Sequence, residues 1–433
     1  MADQRPGPSA FLHPIPRGWV AARASVGGPN YDEFVDDDQI VAALARRPDS
    51  VVALDHPQHT GPARRAGLDF LASLPLAARQ LAAMQEAGAY APVTDGLFAY
   101  QMREAGGHTV RALVGLVRST EFSSSPDEPG RIIRNEEVFP AKIEERRRHI
   151  EALGYLISPV LLLPGRATPD APNAQDAYDD LLNELFDALP AAPLVADTDE
   201  RGVTHSLWPV DGVTDGTAGR IGRVLDGTSF LVADGNHRSL ATQLAGSPWC
   251  LVVVASAGGL RIEPYHRLLR VPDLDADAVP DRLAAVGIDL TRVTEPGDDP
   301  AAGGNHLYLG DGVWYQMDWP ALVSAATATA TAAAGADVAG ALPHSIVERH
   351  VFGAALHLDP SAGAIDYVGG WDRRGYLVGE VDAGRATAAL LLRPVTIGEF
   401  TAVNAARQQM PRKSTWFMPK ARAGLVLART AAG

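Results

Sequence analysis

The stretch FLVADGNHRSLATQL, residues 230–244, is the part of the sequence that decides the fold of its region. Its apolar start ends at Asp234 and predicts a strand, and Leu240, Ala241 and Leu244 then follow at helical spacing. A strand that stops at Asp-Gly and continues as a helix directs free backbone N–H groups and the positive end of the helix dipole at one point. The stretch therefore predicts a strand–turn–helix unit whose turn binds an anion.

The side chains of the turn have the chemistry that an anion site needs. Asp234, Gly235, Asn236, His237 and Arg238 form the turn. Arg238 can hold phosphate or carboxylate oxygens with charge-assisted bonds of roughly 1.5–3 kcal/mol each. Asp234, at the strand end, is a candidate to hold a magnesium ion or to orient His237. The alternative is a structural turn in which the Asp caps the helix.

The surrounding segments alternate between strand-like and helix-like patterns and predict an α/β (α+β) fold. Strands are predicted at 50–55, 97–102, 110–117, 160–163, 229–233, 250–255 and 388–392. Helices are predicted at 68–88, 141–153, 178–189, 322–342 and 397–407. The run Gly216-x-x-Gly219-x-x-Gly222 lacks the dinucleotide-binding spacing and is interpreted as a loop.

Composition narrows the class of protein. The 433 residues carry 38 Lys and Arg against 52 Asp and Glu, a net charge of −14, which disfavours nucleic acid and anionic membranes as partners. The lone cysteine, Cys250, excludes an intrachain disulfide and a Cys-x-x-Cys zinc site. No long apolar run or signal-peptide pattern is present, so we expect a cytoplasmic protein.

Two further segments carry candidate residues. Glu136 precedes the helix predicted at 141–153, where a carboxylate can act as a general base or merely complement the helix dipole. The loop PRKSTWFMPK, residues 411–420, combines Lys413, Ser414, Thr415 and Lys420 with two aromatic residues. This combination suits a phosphorylated ligand, and a surface loop with an aromatic plug is the alternative.

Four residues that flank the predicted central strands are candidates to line the same cleft. They are His205 and Trp208 in HSLWP, and His266 and Arg267 in PYHR. We interpret them as contacts to the substrate.

Several motifs together resemble one family. NEEVFPAKIEER, SPVLLL, HSLWP, FLVADGNHR, PYHR and MPRKSTWFMPK occur in the order seen in domain-of-unknown-function family 1015. The segment PNYDEF, with Tyr31 and Asp32, resembles the N-terminal Pro-Tyr-Asp motif of that family and adds both residues to the substrate candidates. The resemblance extends over residues 29–427.

The central part also resembles the ParB/sulfiredoxin-like superfamily, which includes kinases of free L-serine. That resemblance implies a ParB/sulfiredoxin-like core, a catalytic base at Glu136 and a phosphate-binding turn at residues 234–238. It also implies that Lys413, Ser414, Thr415 and Lys420 form a clamp that returns over the cleft. Two positions depart from the family pattern, because Asn135 and Asn236 stand where the family has histidines. Neither amide can carry a proton or a charge as imidazole does.

The resulting hypothesis is a phosphotransferase that acts on the hydroxyl of free serine or a similar hydroxy-amino acid. ATP, ADP or pyrophosphate would be the donor, with Mg²⁺ held by Asp234 and the phosphates held by residues 235–238 and the C-terminal clamp. The rival hypothesis is a regulatory protein that binds a nucleotide without catalysis. A homodimer stays open.

The predicted organisation has three parts. They are an N-terminal α+β region at 1–122, the catalytic core at 123–270 and a C-terminal α+β region at 271–433. We expect the segments near residues 136, 237 and 413 to surround one ligand.

Overall fold

A computed structural model of the chain describes residues 11–123, 130–165, 174–210, 217–226, 228–256, 258–296, 304–328, 337–360, 363–370 and 373–430. The chain forms two compact units. Unit 1 comprises Met1–Arg134, Pro140–Leu260 and Pro419–Gly433, and unit 2 comprises Asn135–Phe139 and Arg261–Met418. The division into three parts at 122/123 and 270/271 stays a prediction.

The strands alternate with helices along the chain and confirm the mixed α/β class. In chain order the strands are β1 Gly18–Ala21, β2 Tyr90–Val93, β3 Phe98–Arg103, β4 Thr109–Arg118, β5 Ile132–Ile133, β6 Tyr155–Leu156, β7 Val160–Pro164, β8 Val195–Thr198, β9 Thr204–Pro209, β10 Phe230–Asp234, β11 Trp249–Ala255, β12 Arg261–Glu263, β13 Tyr265–Leu269, β14 Asp289–Val293, β15 Asn305–Tyr308, β16 Trp314–Asp318, β17 Ile365–Gly369, β18 Ala388–Leu391, β19 Trp416–Met418 and β20 Val426–Arg429.

The α-helices range from single turns to four or five turns. They are α1 Asp37–Arg46, α2 Val52–Asp55, α3 Gly61–Ala66, α4 Phe70–Glu86, α5 Pro140–Leu153, α6 Ala174–Ala188, α7 Thr217–Asp226, α8 Asn236–Leu244, α9 Val279–Ala285, α10 Pro320–Ala328, α11 Pro343–Ile346, α12 Arg374–Asp382 and α13 Ile397–Ala405. Short 3-10 turns lie at Ala24–Val26, Pro57–His59, Ser119–Glu121 and Ala276–Ala278, and a π-helix spans Val347–Leu356.

Unit 1 is built on a mixed sheet. Over its described residues the strand order is β5-β10-β7-β11-β4-β3-β9-β8, and a smaller sheet has the order β2-β1-β20-β6. The central strands β7 and β11 are buried along most of their length and read as continuous apolar runs, which is typical of strands covered on both faces. One face packs against α6 and α7 through a core that includes Phe230, whose ring stacks on Phe11 at 3.9 Å.

Unit 2 has its own sheet and core. Among its described residues the strand order is β14-β16-β15-β18-β13-β17, and β12 pairs with β19. The core of this unit gathers Leu269, Leu307, Val351 and Leu390, all at or below 1% exposure.

In unit 1 the structure corrects two sequence-based predictions of secondary structure. Residues 52–55, predicted as strand, form α2, because a short apolar run fits a buried helix as well as a strand, and Val52 and Ala53 here pack against Ile40 and Leu44 of α1. Residues 217–226 form α7 rather than the expected loop. Ile221 and Leu225 lie one turn apart in the core of unit 1, and their burial outweighs the roughly 1 kcal/mol that each glycine costs in a helix.

The helix predicted at 322–342 is α10 over its first part only. Residues 337–342 form turns instead of helix, because Gly340 and the proline that follows Leu342 disfavour a helix there. The other predicted elements are confirmed within a few residues where the structure describes them, and residues 124–129, 211–216 and 329–336 lie outside the described residues. In the described part of the chain, no helix has the length and apolar character that a membrane crossing requires.

Helix α5 places an imidazole in the interior of unit 1. His149 is 3% exposed, and its Nε2 donates to the Leu54 carbonyl at 2.8 Å. Burial and the nearby Arg146 lower the pKa of His149 to about 3, from 6.5 when unperturbed. The unfolded chain therefore binds this proton more readily than the folded chain, so stability falls as the pH drops from 6.5 towards 3.

We expect His149→Gln to remove this part of the pH dependence, because glutamine keeps an N–H donor but does not titrate. Between about pH 7.5 and about pH 5.5 the wild type should lose about 1.4 kcal/mol more stability than the variant. Urea denaturation at both pH values measures the difference, and His357→Gln, at an exposed position, is the control. Parallel losses in the wild type and His149→Gln would contradict a neutral buried imidazole.

Candidate functional site

The turn after β10 adopts a conformation that requires glycine. Gly235 has a φ of +100°, and a Cβ added there would lie 3.2 Å from the Arg238 guanidinium. Helix α8 begins directly afterwards at Asn236, and no side chain caps its first turn, whereas Asp36 and Asp69 cap α1 and α4. The predicted strand–turn–helix unit is therefore confirmed. Glycine is favoured at position 235 because a side chain there would be strained and would crowd Arg238.

Two cations meet at the Asp234 carboxylate. The Lys420 ammonium donates to Oδ1 at 2.7 Å, and the Arg238 Nη2 donates to Oδ2. Burial of the carboxylate raises the pKa of Asp234, but Lys420 and Arg238 more than offset that effect, so the pKa lies below its usual value. Asp234 is therefore ionised at neutral pH, and the paired charges form one buried cluster.

Arg238 also holds the N-terminal motif. Its Nη1 donates to the Asn30 Oδ1 at 2.9 Å and to the Pro159 carbonyl. The Asn30 Nδ2 in turn donates to Glu33 and to the Ala421 carbonyl, each at 2.9 Å. Arg238 thus links the segment around Asn30 with the segment around Lys420.

Glu33 and Asp32 add negative charge to the same cluster. Burial raises the pKa of Glu33, while Lys420 partly offsets the rise. The charge of Asp32 acts on Asp234 and on Arg238. The sequence reasoning named Asp32 but missed Asn30 and Glu33, although both lie in the quoted PNYDEF segment.

Tyr31 lies against a second buried ion pair. The Arg146 guanidinium is 4.3 Å from the Tyr31 ring centroid and 4.7 Å from that of Phe70. Its Nη1 is 3.1 Å from the Asp55 Oδ1. Tyr31 is therefore held by stacking on a cation.

His205 and Trp208, although both in β9, project from opposite faces of the sheet. The His205 Nδ1 is 2.6 Å from the Tyr100 hydroxyl, and that oxygen accepts from the Arg422 N–H at 3.1 Å. Trp208 lies in the apolar core of unit 1, where its Nε1 donates to the Pro190 carbonyl at 2.9 Å. The structure thus connects His205, but not Trp208, with the segment that carries Lys420.

In unit 2, the C-terminal loop wraps the Glu136 carboxylate. The Lys413 N–H donates to Oε1 at 2.8 Å, and the Ser414 N–H lies 3.4 Å from Oε2. Lys413 has a φ of +56°, an uncommon conformation for a residue with a side chain. Successive amides around such a residue form an anion-binding concavity, and here Glu136 is the anion.

Arg267 of β13 supports the same loop, whereas its neighbour His266 contacts the backbone just after β18. The fully buried Arg267 guanidinium stacks on Tyr367 and donates to the backbone carbonyls of Lys413 and Arg412 at 3.1 and 3.3 Å. The His266 Nδ1 accepts from the Leu392 N–H at 3.1 Å, and burial lowers its pKa to about 3. His266 is therefore neutral at physiological pH.

The candidate residues divide between the two units. Asn135 donates to the Asn404 Oδ1 at 3.1 Å in unit 2. Asn236 and His237, in the first turn of α8, are 7% and 5% exposed, and Thr415 is half-buried. The structure brings Asp234, Arg238 and Lys420 together in unit 1, and Glu136, Lys413 and Ser414 together in unit 2. That all of them share one pocket stays a prediction.

The predicted Mg²⁺ site does not fit the contacts of Asp234. Both carboxylate oxygens are engaged by cations. Across the described residues, no group of three His, Cys, Asp or Glu side chains is arranged to hold a metal ion. Mg²⁺ prefers one or two carboxylates with free oxygens, together with water and phosphate.

Comparison with known families gives a match over most of the chain. A family model described as protein of unknown function (DUF1015) matches residues 16–339. The chain belongs to this family. A comparison with curated proteins finds no match. Membership in the ParB/sulfiredoxin-like superfamily stays a prediction.

Solved structures similar to this DUF1015 chain include three with comparable scores. A free serine kinase in complex with AMP has a TM-score of 0.36 at 11% identity and covers 70% of this chain and 87% of its own. A conserved hypothetical protein from Pyrococcus furiosus has 0.36 at 12%, with 72% and 95% covered. SbnI from Staphylococcus aureus, truncated at its C-terminus, has 0.36 at 13%, with 71% and 84% covered. Likenesses of this size carry no functional argument.

We expect Gly235→Ala to destabilise unit 1 by more than a conformational penalty alone. An L-residue in this backbone region costs about 1–2 kcal/mol, and the new methyl also presses on Arg238. Gly246→Ala is the matched control, since Gly246 has a φ of +70° with no atom within 4 Å of the added Cβ. Urea denaturation compares the two, and equal losses would show that the contact with Arg238 is insignificant.

Proposed function

We propose that this protein is a small-molecule phosphotransferase that phosphorylates the hydroxyl of free serine or a similar hydroxy-amino acid. The observation that carries the proposal is the pairing of Arg238 and Lys420 on Asp234 at the uncapped start of α8. Phosphoryl transfer requires positioning and positive charge rather than covalent chemistry from the protein. The resemblance of the sequence motifs to those of free-serine kinases supports the same conclusion.

The donor phosphates bind at the start of α8 in this proposal. Gly235 contributes no side chain and no side chain caps α8, so phosphate oxygens can approach the start of the helix. Lys420 turns from Asp234 Oδ1 to a phosphate oxygen, while Arg238 stays on Asp234, Asn30 and Pro159 and holds the cluster in place. Arg238 is then a positioning residue, a narrower role than direct phosphate binding.

Glu136 is the general base of the proposed reaction. It accepts the proton of the substrate hydroxyl as that oxygen bonds to the terminal phosphorus of the donor, and the donor leaves one phosphate shorter. The amides of Lys413 and Ser414 orient the carboxylate through hydrogen bonds to its two oxygens. Because they occupy its oxygens, the substrate hydroxyl must approach a remaining lone pair.

The donor is ATP, ADP or pyrophosphate, and any Mg²⁺ arrives with it as part of the substrate, so no step is assigned to a resident metal. We place the enzyme in the cytoplasm and expect a small molecule rather than nucleic acid as its partner.

A non-catalytic nucleotide-binding role is the second candidate, and a specific observation favours it. Hydrogen bonds within the protein engage both carboxylate oxygens of Glu136 and both of Asp234, as expected of residues with a structural role. Asn135 and Asn236 also favour a non-catalytic role, since neither side chain can transfer a proton. Binding with no turnover separates the two candidates.

We expect Lys420→Met to weaken ADP binding by at least about tenfold, because a charge-assisted contact of roughly 1.5–3 kcal/mol is lost. Isothermal titration calorimetry measures the affinity. Lys142→Met is the control, since Lys142 is exposed and pairs with Glu145 on α5. Equal ADP affinities for the two variants would remove Lys420 from the phosphate site.

We expect Glu136→Gln to lower phosphoryl transfer to L-serine by at least about a hundredfold while ADP affinity stays within about twofold, because only the base is lost. Phosphorus NMR with ATP, ADP or pyrophosphate follows the transfer. Glu137→Gln, at a neighbouring exposed acid paired with Arg412, is the control. Retained turnover in Glu136→Gln refutes the base, and wild-type binding without turnover across hydroxy-amino acids favours the regulatory candidate.

A further inference from the structure

A polar cavity opens in unit 1 at the end of β11. Its volume is about 770 Å³, within the usual range for small-molecule sites. Strands β3 and β4, helix α6 and the segment after β11 contribute to its wall. The side chains that matter for its chemistry are Gln101, Arg103, Arg111, Asp179 and Asn183.

The cavity lies on the opposite face of the sheet from the Asp234 cluster. Tyr100 and Gln101 are adjacent in β3, so their side chains project from opposite faces. The Tyr100 hydroxyl accepts from the Arg422 N–H, two residues beyond Lys420, whereas Gln101 lines the cavity. A ligand in the cavity is therefore separate from one held by Lys420.

Asp179 lines the cavity and carries an acceptor without a hydrogen bond. Its Oδ1 is buried and has no hydrogen-bond partner within the described residues, while the carboxylate accepts from the Gly258 N–H. Burial and the neighbouring Asp176 raise the pKa of Asp179 to about 6. A ligand cation at this carboxylate would offset the repulsion from Asp176, and a turn of the carboxylate towards the cavity would give Oδ1 its missing hydrogen bond.

Two arginines provide the opposite charge. The Arg111 guanidinium lies over the Phe186 ring at 5.1 Å and donates to the Asn183 Oδ1 at 2.7 Å. Arg103 donates to the Gln101 Oε1 at 3.2 Å. Each guanidinium has five N–H donors, so these contacts leave donors for a carboxylate.

We propose that this cavity binds a small zwitterion of the α-amino acid class, with its ammonium group on Asp179 and its carboxylate on Arg111 and Arg103. The site combines one acceptor without a partner and two cations in one wall, on a protein whose net charge is −14. It takes no part in the proposed phosphoryl transfer.

Calorimetry on the full chain with L-alanine, which has no side-chain hydroxyl, tests the proposal. Its amide and its N-acetyl derivative remove one charged end each. We expect L-alanine to bind and both derivatives to bind at least about tenfold more weakly, since each loses a charge-assisted contact. Asp179→Asn and Arg111→Gln should weaken L-alanine by a similar factor, and Asp180→Asn, at the next and exposed acid of α6, should not.

The same titration in Lys420→Met and in Glu136→Gln, each first shown by urea denaturation to be folded, distinguishes this cavity from the proposed active site. Undiminished L-alanine binding there supports the cavity, and its loss there overturns the proposal. Absence of L-alanine binding, equal binding of N-acetyl-L-alanine, or an equal effect of Asp179→Asn and Asp180→Asn overturns it as well. Binding of inorganic phosphate alone does so too, because it would indicate a plain anion site.

Discussion

The buried ion pairs of Asp234 with Arg238 and Lys420 are the interactions on which the arrangement of unit 1 depends. Removing one partner of a buried pair typically costs 3–5 kcal/mol, because the other charge is then left without compensation. Asp234 ends β10 of the main sheet, and Lys420 lies in a C-terminal segment 186 residues away in sequence. The pairs thus hold that segment against the main sheet.

The same cluster orders the N-terminal motif. Arg238 reaches Asn30 and Pro159, and Asn30 reaches Glu33 and Ala421. Because a buried charge is costly without a partner of opposite sign, the acids and cations of this cluster stabilise one another. The raised pKa of Glu33 and the lowered pKa of Asp234 record this balance, since both carboxylates share the field of Lys420.

Much of the local structure could be predicted from the sequence. The strand–turn–helix at 230–244 and the hairpin of β3 and β4 follow from periodicity and from Gly positions, which are local signals. Residues 52–55 and 217–226 were predicted wrongly because their packing partners, α1 and the core of unit 1, decide between states that the local pattern leaves open. Candidates chosen by residue type included Asp234, Arg238 and Lys420. Asn30 and Glu33 were missed because their role depends on hydrogen bonds and charges that only the fold brings near them.

The sequence by itself determined the α/β class, the glycine-dependent turn before α8 and the acidic balance of the chain, because these depend on residue type and near neighbours. Only the tertiary structure decided that Glu136 accepts hydrogen bonds from the amides of Lys413 and Ser414. It alone also placed Trp208 in the apolar core of unit 1, and Asp179 and Arg111 in the lining of one cavity. Such contacts join residues far apart in the chain. Their geometry follows from which faces of the sheets are buried together, and no local pattern of residues records that choice.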